Sequence, residues 1–254
     1  MIEPKLSLIG AGPGDPDLIT LKAIKVLKTA DVVLYDALAN EALLDYAPET
    51  ALKIFVGKRG GLHYLQQREI NKMIVNYARI CGHVVRLKGG DPYVFGRGHE
   101  ELDYAQKYEI PTQYIPGISS VMSVPGLSGI PLTKRGVNES FWVVAGTLKD
   151  GSLAQDLHFA AQSSATVVIL MGVRKLPEIV ALFTEHRGKE EPISLIQNGS
   201  KETERSITGN LGSILSIKEK EKIGAPAIIV IGKVVGEKRK HLNVYVEKTT
   251  IWEG

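Results

Sequence analysis

Residues 88–101, Lys-Gly-Gly-Asp-Pro-Tyr-Val-Phe-Gly-Arg-Gly-His-Glu-Glu, form the stretch whose residue types are best suited to chemistry. They follow an apolar, strand-like run and precede a predicted helix, and loops at such junctions often carry function. The paired Gly89 and Gly90 let a ligand approach the main chain, Asp91-Pro92 favours a turn, and Arg97 supplies a cation. A lone Gly-Gly-Asp-Pro is more often a simple connector, so the rest of the chain has to decide its role.

A second glycine-rich loop lies near the N-terminus. Residues 6–9 predict a buried strand, residues 10–16 a loop, and the apolar residues from Leu18 to Leu27 a helix with Asp17 as its N-cap. A second strand, residues 32–35, ends at Asp36. This order is also how a nucleotide-binding βαβ unit begins, with the terminal acid available for ribose hydroxyls.

The loop itself disagrees with a dinucleotide site. Its glycines at 10, 12 and 14 do not fit GxGxxG, Pro13 has no amide hydrogen, and Asp15 and Asp17 would repel a pyrophosphate. A cationic or weakly charged ligand suits this loop better. A conventional Rossmann-type methyltransferase therefore remains an alternative at this point.

Further strands are predicted at 52–57, 83–87 and 111–115, with helices at 66–80 and 100–108. The basic residues Lys58 and Arg59 follow the first of these strands, and the hydroxyls of Ser119 and Ser120 follow the last, at the start of a helix. Because these loops follow strands, a parallel sheet would bring them together at its carboxyl edge.

A change of pattern around residues 129–136 predicts a linker. Later strands are predicted at 141–145, 166–171, 192–197 and 227–231, and helices near 176–186 and 211–217. We therefore predict an N-terminal α/β domain at 1–135, a C-terminal α/β domain at 136–245 and a tail at 246–254.

Composition excludes several classes of protein. The 254 residues are 44% hydrophobic, and a net charge of +3 is too weak to indicate nucleic-acid binding. The single cysteine, Cys81, excludes an internal disulfide, and the six histidines show no metal-binding spacing. No apolar run reaches the roughly 18 residues of a membrane span. We expect a cytoplasmic protein with no metal and no membrane or nucleic-acid partner.

Taken together, the motifs resemble the tetrapyrrole methylase family. They occur in matching order over residues 5–236, and the ordered set is far more specific than any single motif. The stretches that carry the resemblance are residues 10–16, 35–36, 56–59, 88–101, 116–120, 131–133 and 224–227.

The resemblance implies a fold and an activity. It implies two α/β domains with an active-site cleft between them, a homodimer, and S-adenosyl-L-methionine as methyl donor, with S-adenosyl-L-homocysteine as product. It further implies transfer of two methyl groups to uroporphyrinogen III, giving precorrin-2 through precorrin-1 for sirohaem or cobalamin biosynthesis. A family member acting on a later precorrin, or a non-catalytic protein that binds adenosyl ligands or tetrapyrroles, remains an alternative.

The resemblance also assigns roles by position. Asp36 matches a proton acceptor and Lys58 a proton donor, while Arg97, Glu100 and Arg135 match substrate-binding positions. The donor site falls on Pro13, Gly89, Gly90, Asp91, Val94, Ser119, Ser120, Met171 and Gly199. In this assignment the Asp91 carboxylate accepts hydrogen bonds from the donor.

Two residues depart from the family pattern. His99 replaces the usual glycine after Arg-Gly, and Lys134 replaces the usual histidine of Thr-His-Arg. We expect His99 to be an exposed residue at the start of a helix.

Overall fold

The computed structural model describes residues 2–57 and 66–237. Lys58, Arg59 and the predicted tail lie outside the described residues. The strands are β1 Lys5–Gly10, β2 Val32–Tyr35, β3 Leu52–Phe55, β4 His83–Lys88, β5 Thr112–Ile115, β6 Phe141–Ala145, β7 Thr166–Leu170, β8 Pro192–Gln197, β9 Arg205–Asn210 and β10 Ala227–Ile231. The helices are α1 Leu21–Leu27, α2 Gln67–Cys81, α3 Gly98–Gln106, α4 Ser120–Leu127, α5 Asp156–Gln162, α6 Leu176–Arg187 and α7 Ile214–Glu221.

The chain divides into two compact α/β units. Among the described residues, the first unit contains 2–57, 66–123 and Gln197–Arg205, and the second contains Val124–Ile196 and 206–237. The segment Gln197–Arg205 therefore returns from the second half of the sequence to the first unit. None of the helices in the described ranges combines the length and apolar character needed to cross a membrane.

The first unit is built on a parallel sheet with strand order β3-β2-β4-β1-β5. Ile9 pairs with Leu87 of β4 and with Ile115 of β5, so these three strands end level with one another. All four neighbouring strand pairs are parallel. The loops that follow the strands consequently share the carboxyl edge, which confirms that expectation.

Helices cover both faces of this sheet, which explains why its central strands β1 and β4 are buried along almost their whole length. One face packs Ile9, Val33 and Leu87 against Leu27 of α1. The opposite face packs Leu8 and other alternate strand residues against α2 and α3. Successive side chains of a strand point to opposite faces, so β4 directs Val84, and with it Arg86 and Lys88, toward α2 and α3.

The second unit contains a mixed sheet with order β6-β7-β10-β8-β9, in which β6 runs parallel and β10 antiparallel to β7. Its core is formed by strand residues such as Ile169 and Leu195 packed against Leu157 of α5 and Phe183 of α6. The sequence prediction missed α5 and β9. Only Ile207 of β9 is buried, so this strand has no clear hydrophobic alternation, and α5 has only seven residues.

The predicted cap of the first helix was wrong. Asp17 lies in a separate 3-10 turn, Pro16–Leu18, whose N-cap is Asp15. The Asp15 carboxylate accepts a hydrogen bond from the amide of Asp17 at 2.9 Å. Helix α1 begins later, and its N-cap Thr20 accepts through Oγ1 from the amide of Ala23 at 3.2 Å. The turn capped by Asp15 therefore precedes the helix, which begins only at Leu21.

Candidate active site

Three glycines bring the loops after β1, β4 and β5 into direct contact. A Cβ atom built on Gly10 would lie 2.7 Å from the carbonyl oxygen of Gly90, and one built on Gly117 would overlap the same oxygen. Distances this short exclude any side chain at Gly10 or Gly117. The glycines of these two motifs are therefore required for the close approach of the three loops.

Main-chain hydrogen bonds join the first two loops. The amide of Gly90 donates to the carbonyl of Gly12 at 2.7 Å, and the amide of Gly12 donates to Gly90 at 3.3 Å. Both residues have positive φ angles, 77° and 65°, which glycine adopts without strain. The space beside Gly90 is open, because a Cβ there would meet no heavy atom closer than 3.9 Å. The loops thus leave a bare stretch of main chain at Gly90.

Asp91 holds this arrangement together. Its Oδ1 accepts from the amide of Tyr93 at 2.8 Å, while Oδ2 accepts from the amide of Gly117 at 3.0 Å and from the hydroxyl of Tyr114 at 2.7 Å. The residue is only 8% exposed. The carboxylate that we expected to bind the donor is therefore engaged by the protein, and it fixes the loop after β4 to the loop after β5.

Tyr114 is kept as a hydrogen-bond donor. Burial and the contact with Asp91 raise the pKa of Tyr114 above its usual range, so the phenol stays protonated. Its ring stacks on Tyr93, with centroids 4.1 Å apart and planes 3° from parallel. The loop after β4 is consequently held in place by Tyr114, which contacts both Asp91 and Tyr93.

The remaining donor positions of the first unit lie on this edge or on the segment that returns to it. Ser119 is 5% exposed, and its Oγ accepts from the amide of Val121 at 3.4 Å, as an N-terminal cap of α4 does. Gly199 lies in the returning segment Gln197–Arg205, where the neighbouring Ser200 accepts a hydrogen bond from the amide of Asp15 at 3.0 Å. The other members are Pro13, Gly89, Val94 and Ser120, all half-buried.

Met171 and Arg135, also predicted as site residues, belong to the second unit. Met171 follows β7 with a φ of 56° and is 55% exposed, and its carbonyl accepts from Thr147 Oγ1 at 2.8 Å. Arg135 is exposed. The preceding Lys134 forms an ion pair with Glu237 within the same unit.

Asp36 lies where β2 ends, next to β4. Its Oδ1 accepts from the amide of Leu38 at 3.1 Å and, at 3.5 Å, from the amide of Gly89. Its Oδ2 accepts from Arg86 Nη2 at 3.4 Å, and its side chain is 22% exposed. The predicted proton acceptor therefore lies next to the loop that is predicted to bind the methyl donor, and it is partly exposed to solvent. The predicted proton donor, Lys58, lies outside the described residues.

Arg97 and Glu100, both predicted to bind substrate, contact each other. Arg97 Nε donates to Glu100 Oε1 and Nη2 to Oε2, both at 2.7 Å. This hydrogen bonding lowers the pKa of Glu100, so the carboxylate is ionised at neutral pH. Arg97 has a positive φ of 57° immediately before α3. His99 is exposed in the first turn of that helix, as expected.

The sequence analysis did not predict a group of buried charged side chains that adjoins Asp36. Arg86, Lys88 and Glu101 are each at most 6% exposed, and Oε1 of Glu101 accepts from both cations. Burial is the main cause that lowers the pKa of Lys88, followed by repulsion from Arg86. Two cations within the apolar run of β4 were the signal that could have revealed this group, since buried charges need partners.

The chain belongs to the tetrapyrrole (corrin/porphyrin) methylases, whose family model matches residues 5–215. One relative, named uroporphyrinogen-III C-methyltransferase, comes from Methanocaldococcus jannaschii. It is 46% identical over 233 residues, which cover 91% of this chain and 96% of that protein. In the described ranges, no group of three His, Cys, Asp or Glu residues is arranged to hold a metal ion.

Two further relatives extend the comparison. The crystal structure of uroporphyrin-III C-methyl transferase from Thermus thermophilus, complexed with S-adenyl homocysteine, aligns with a TM-score of 0.78 and 38% identity. The alignment covers 92% of this chain and 99% of that one. A siroheme synthase from Psychrobacter arcticus is 40% identical over 90% of this chain, which spans 42% of that longer protein.

Proposed function

We propose that this protein is a C-methyltransferase that moves two methyl groups from S-adenosylmethionine to uroporphyrinogen III. The observation that carries the proposal is the meeting of three glycine loops beside Asp36 in a chain of the tetrapyrrole methylase family. The names of its relatives support the substrate, and the S-adenyl homocysteine bound in the Thermus thermophilus structure supports the donor.

The residues of the first unit suit an adenosyl ligand. The bare main chain at Gly90, with open space beside it, allows close approach of a flat or charged group. Ser119 and Ser120 add hydroxyls, and Pro13 and Val94 add apolar surface. The Asp91 carboxylate contributes indirectly in this proposal, because it fixes the loops from which main-chain groups bind the donor.

The donor supplies an electrophilic methyl group on a sulfonium. A pyrrole carbon is electron-rich enough to attack it directly, so the task of the protein is to hold the reacting atoms in line. Methylation leaves a positive charge on the macrocycle, which is removed when a carbon of the macrocycle loses a proton. We propose Asp36 as the acceptor of that proton, and its 22% exposure and its contact with the amide of Gly89 support this role.

Arginine side chains suit the carboxylates of the substrate. A guanidinium binds a carboxylate through two parallel hydrogen bonds, as Arg97 already does with Glu100. A substrate carboxylate can replace Glu100 in that contact and leave Glu100 free to accept from a pyrrole N–H. Arg135 is proposed as a second anchor and Lys58 as the proton donor.

We propose a cytoplasmic homodimer that provides dimethylated tetrapyrrole for sirohaem or cobalamin synthesis. The names of siroheme synthases among the relatives support the first of these pathways.

The proposal is tested by incubating the purified protein anaerobically with donor and uroporphyrinogen III, and by measuring the mass of the macrocycle. We expect the addition of two methyl groups and a matching amount of S-adenosylhomocysteine. Parallel reactions with a tetrapyrrole that already carries both methyl groups test the alternative of a later substrate. Methylation of that compound alone would contradict the proposal, and binding without turnover would show a non-catalytic protein.

A further inference from the structure

Four charged side chains form a cluster that extends from Asp36 into the interior of the first unit. Arg86 and Lys88 are alternate residues of β4, so both leave the strand on the face covered by α2 and α3. Glu101 of α3 meets them there with a fully buried side chain. Asp36 lies at the end of the neighbouring strand β2 and is the one member that reaches solvent appreciably.

Glu101 binds its neighbours through a single oxygen. Its Oε1 accepts from Gln67 Nε2 at 2.9 Å, from Lys88 Nζ at 3.1 Å and from Arg86 Nε at 3.2 Å. Its Oε2 has no hydrogen-bond partner among residues 2–57 and 66–237. A buried oxygen without a hydrogen-bond partner lowers the stability of the fold. The pairing of Oε1 with two buried cations offsets this loss.

Arg86 is fixed by three contacts apart from Asp36. Nε donates to Glu101, and Nη1 donates to the carbonyls of Leu34 at 3.2 Å and Leu87 at 3.0 Å. The guanidinium is planar and rigid, so these contacts determine where Nη2 lies, 3.4 Å from Asp36 Oδ2. A lysine ammonium could not reach the same four acceptors from one fixed plane.

We propose that Arg86, held in place by Glu101, is a positioning residue that orients the Asp36 carboxylate for proton removal from the methylated macrocycle. This inference rests on the proposed function. In the step concerned, a C–H bond of the cationic macrocycle breaks, its electron pair neutralises the ring system, and the proton passes to Asp36 and then to water. Arg86 touches neither reactant.

The cluster is electrically balanced while Asp36 is ionised, with two cations and two carboxylates. Arg86 also restrains Oδ2 while the amides of Leu38 and Gly89 restrain Oδ1. The carboxylate therefore has little freedom to rotate away from the donor loop. Weakening of the Glu101 contact would release one of the bonds that fix Arg86, so Oδ2 of Asp36 would lose its fixed partner.

The test compares Arg86→Lys and Glu101→Gln with wild type in two kinetic measurements. The first is steady-state turnover, and the second is S-adenosylhomocysteine formed in the first turnover after rapid mixing. Proton loss follows methyl transfer, so we expect turnover to fall by about tenfold, within the coupling range of contacting residues, while the first-turnover yield and rate are retained. Affinity for S-adenosylhomocysteine should also be retained.

Arg187→Lys is the matched control. Arg187 is a buried arginine of the second unit that donates to the carbonyls of Ala160 and Ala161 and to Glu191. Arg187→Lys should lower the unfolding temperature. It should not reduce steady-state turnover while the first turnover is retained. If Arg86→Lys fails to fold, Glu101→Gln, which keeps an oxygen acceptor, decides alone.

Asp36→Asn completes the design as a double-mutant cycle with Arg86→Lys. If Arg86 acts through Asp36, the added substitution should cost less than about twofold in the Asp36→Asn protein, whereas independent effects would multiply. Equal losses in both backgrounds, parallel loss of the first turnover, or unchanged turnover in both cluster variants would overturn the positioning role alone. Full activity of Asp36→Asn, or absence of methylation by wild type, would instead remove the proposed role or function on which it rests.

Discussion

The hydroxyl of Tyr114 donates a 2.7 Å hydrogen bond to Oδ2 of Asp91, and this contact ties the strand β5 to the loop after β4. The same oxygen accepts from the amide of Gly117, so one carboxylate joins two of the three loops at the carboxyl edge. The shape of the proposed donor site therefore depends on residues that need not touch the donor. Tyr114 itself was not singled out by the sequence, because a tyrosine in a strand has no distinctive spacing.

Tyr114→Phe should isolate the contribution of this hydroxyl. The ring and its stacking on Tyr93 remain, but the buried Asp91 carboxylate loses a donor, which should destabilise the protein by about 1–3 kcal/mol. Affinity for S-adenosylhomocysteine should fall as the loop loosens. Chemical denaturation and calorimetric titration measure the two effects. Tyr108→Phe, at an exposed tyrosine of the same unit, is the control and should change neither.

Asp91 and Arg97 should divide the binding of the two reactants. Asp91→Ala removes the acceptor of three protein hydrogen bonds and should mainly weaken S-adenosylhomocysteine binding. Arg97→Ala should mainly raise KM for the tetrapyrrole, with the affinity for S-adenosylhomocysteine kept. Arg79→Ala, at an exposed arginine of α2, is the control for a lost surface charge. Equal losses of both affinities in the Asp91 and Arg97 variants would refute this division.

Gly117→Ala should disrupt the meeting of the loops. Its Cβ would overlap the carbonyl oxygen of Gly90, and overpacking of this kind costs about 1–3 kcal/mol. Donor binding should be lost with it. In contrast, a Cβ on Gly126 of α4 meets no atom within 4 Å, and Gly126→Ala should stabilise the protein by about 0.5–1 kcal/mol. Thermal unfolding of both variants checks the contrast, and equal effects would contradict the close approach of the loops.

His83 should make the stability depend on pH. Burial lowers the pKa of His83, despite the opposing hydrogen bond to Thr29, and Ser7 occupies the other ring nitrogen at 2.8 Å. The unfolded state therefore binds the proton more readily. Stability is full above the unfolded pKa of about 6.5 and falls as pH drops through the lower native pKa.

His83→Gln should flatten this part of the stability profile, as measured by urea denaturation between neutral and mildly acidic pH. Its control is His158→Gln, since His158 is exposed on α5. A profile that keeps the wild-type slope in His83→Gln would assign the pH dependence to other groups.

Much of the first unit could be predicted from sequence because its strands are short apolar runs separated by glycine-rich loops. Parallel pairing then brought residues 10–16, 88–101 and 116–120 to one edge. The partners of charged side chains could not be predicted in this way. That Glu101 reaches two cations of β4, or that Asp91 faces Tyr114, depends on the packing of helices and loops that are far apart in sequence.

The helix starts show the same limit. Asp17 satisfies the local rule for an N-cap, yet it lies within the turn that Asp15 caps. The N-cap of α1 is Thr20. The return of Gln197–Arg205 to the first unit had no local signal at all. Local patterns identify elements, whereas long-range contacts determine which segments share a unit.

The position of the transferred methyl groups on the macrocycle tests the proposed C-methyltransferase activity. Uroporphyrinogen III is incubated anaerobically with the protein and with donor carrying carbon-13 in its methyl group, and the product is examined by NMR. We expect two labelled methyl groups, each bonded to a ring carbon of the macrocycle. Label on a carboxylate oxygen or a nitrogen, or an unlabelled macrocycle, would contradict the proposed C-methylation.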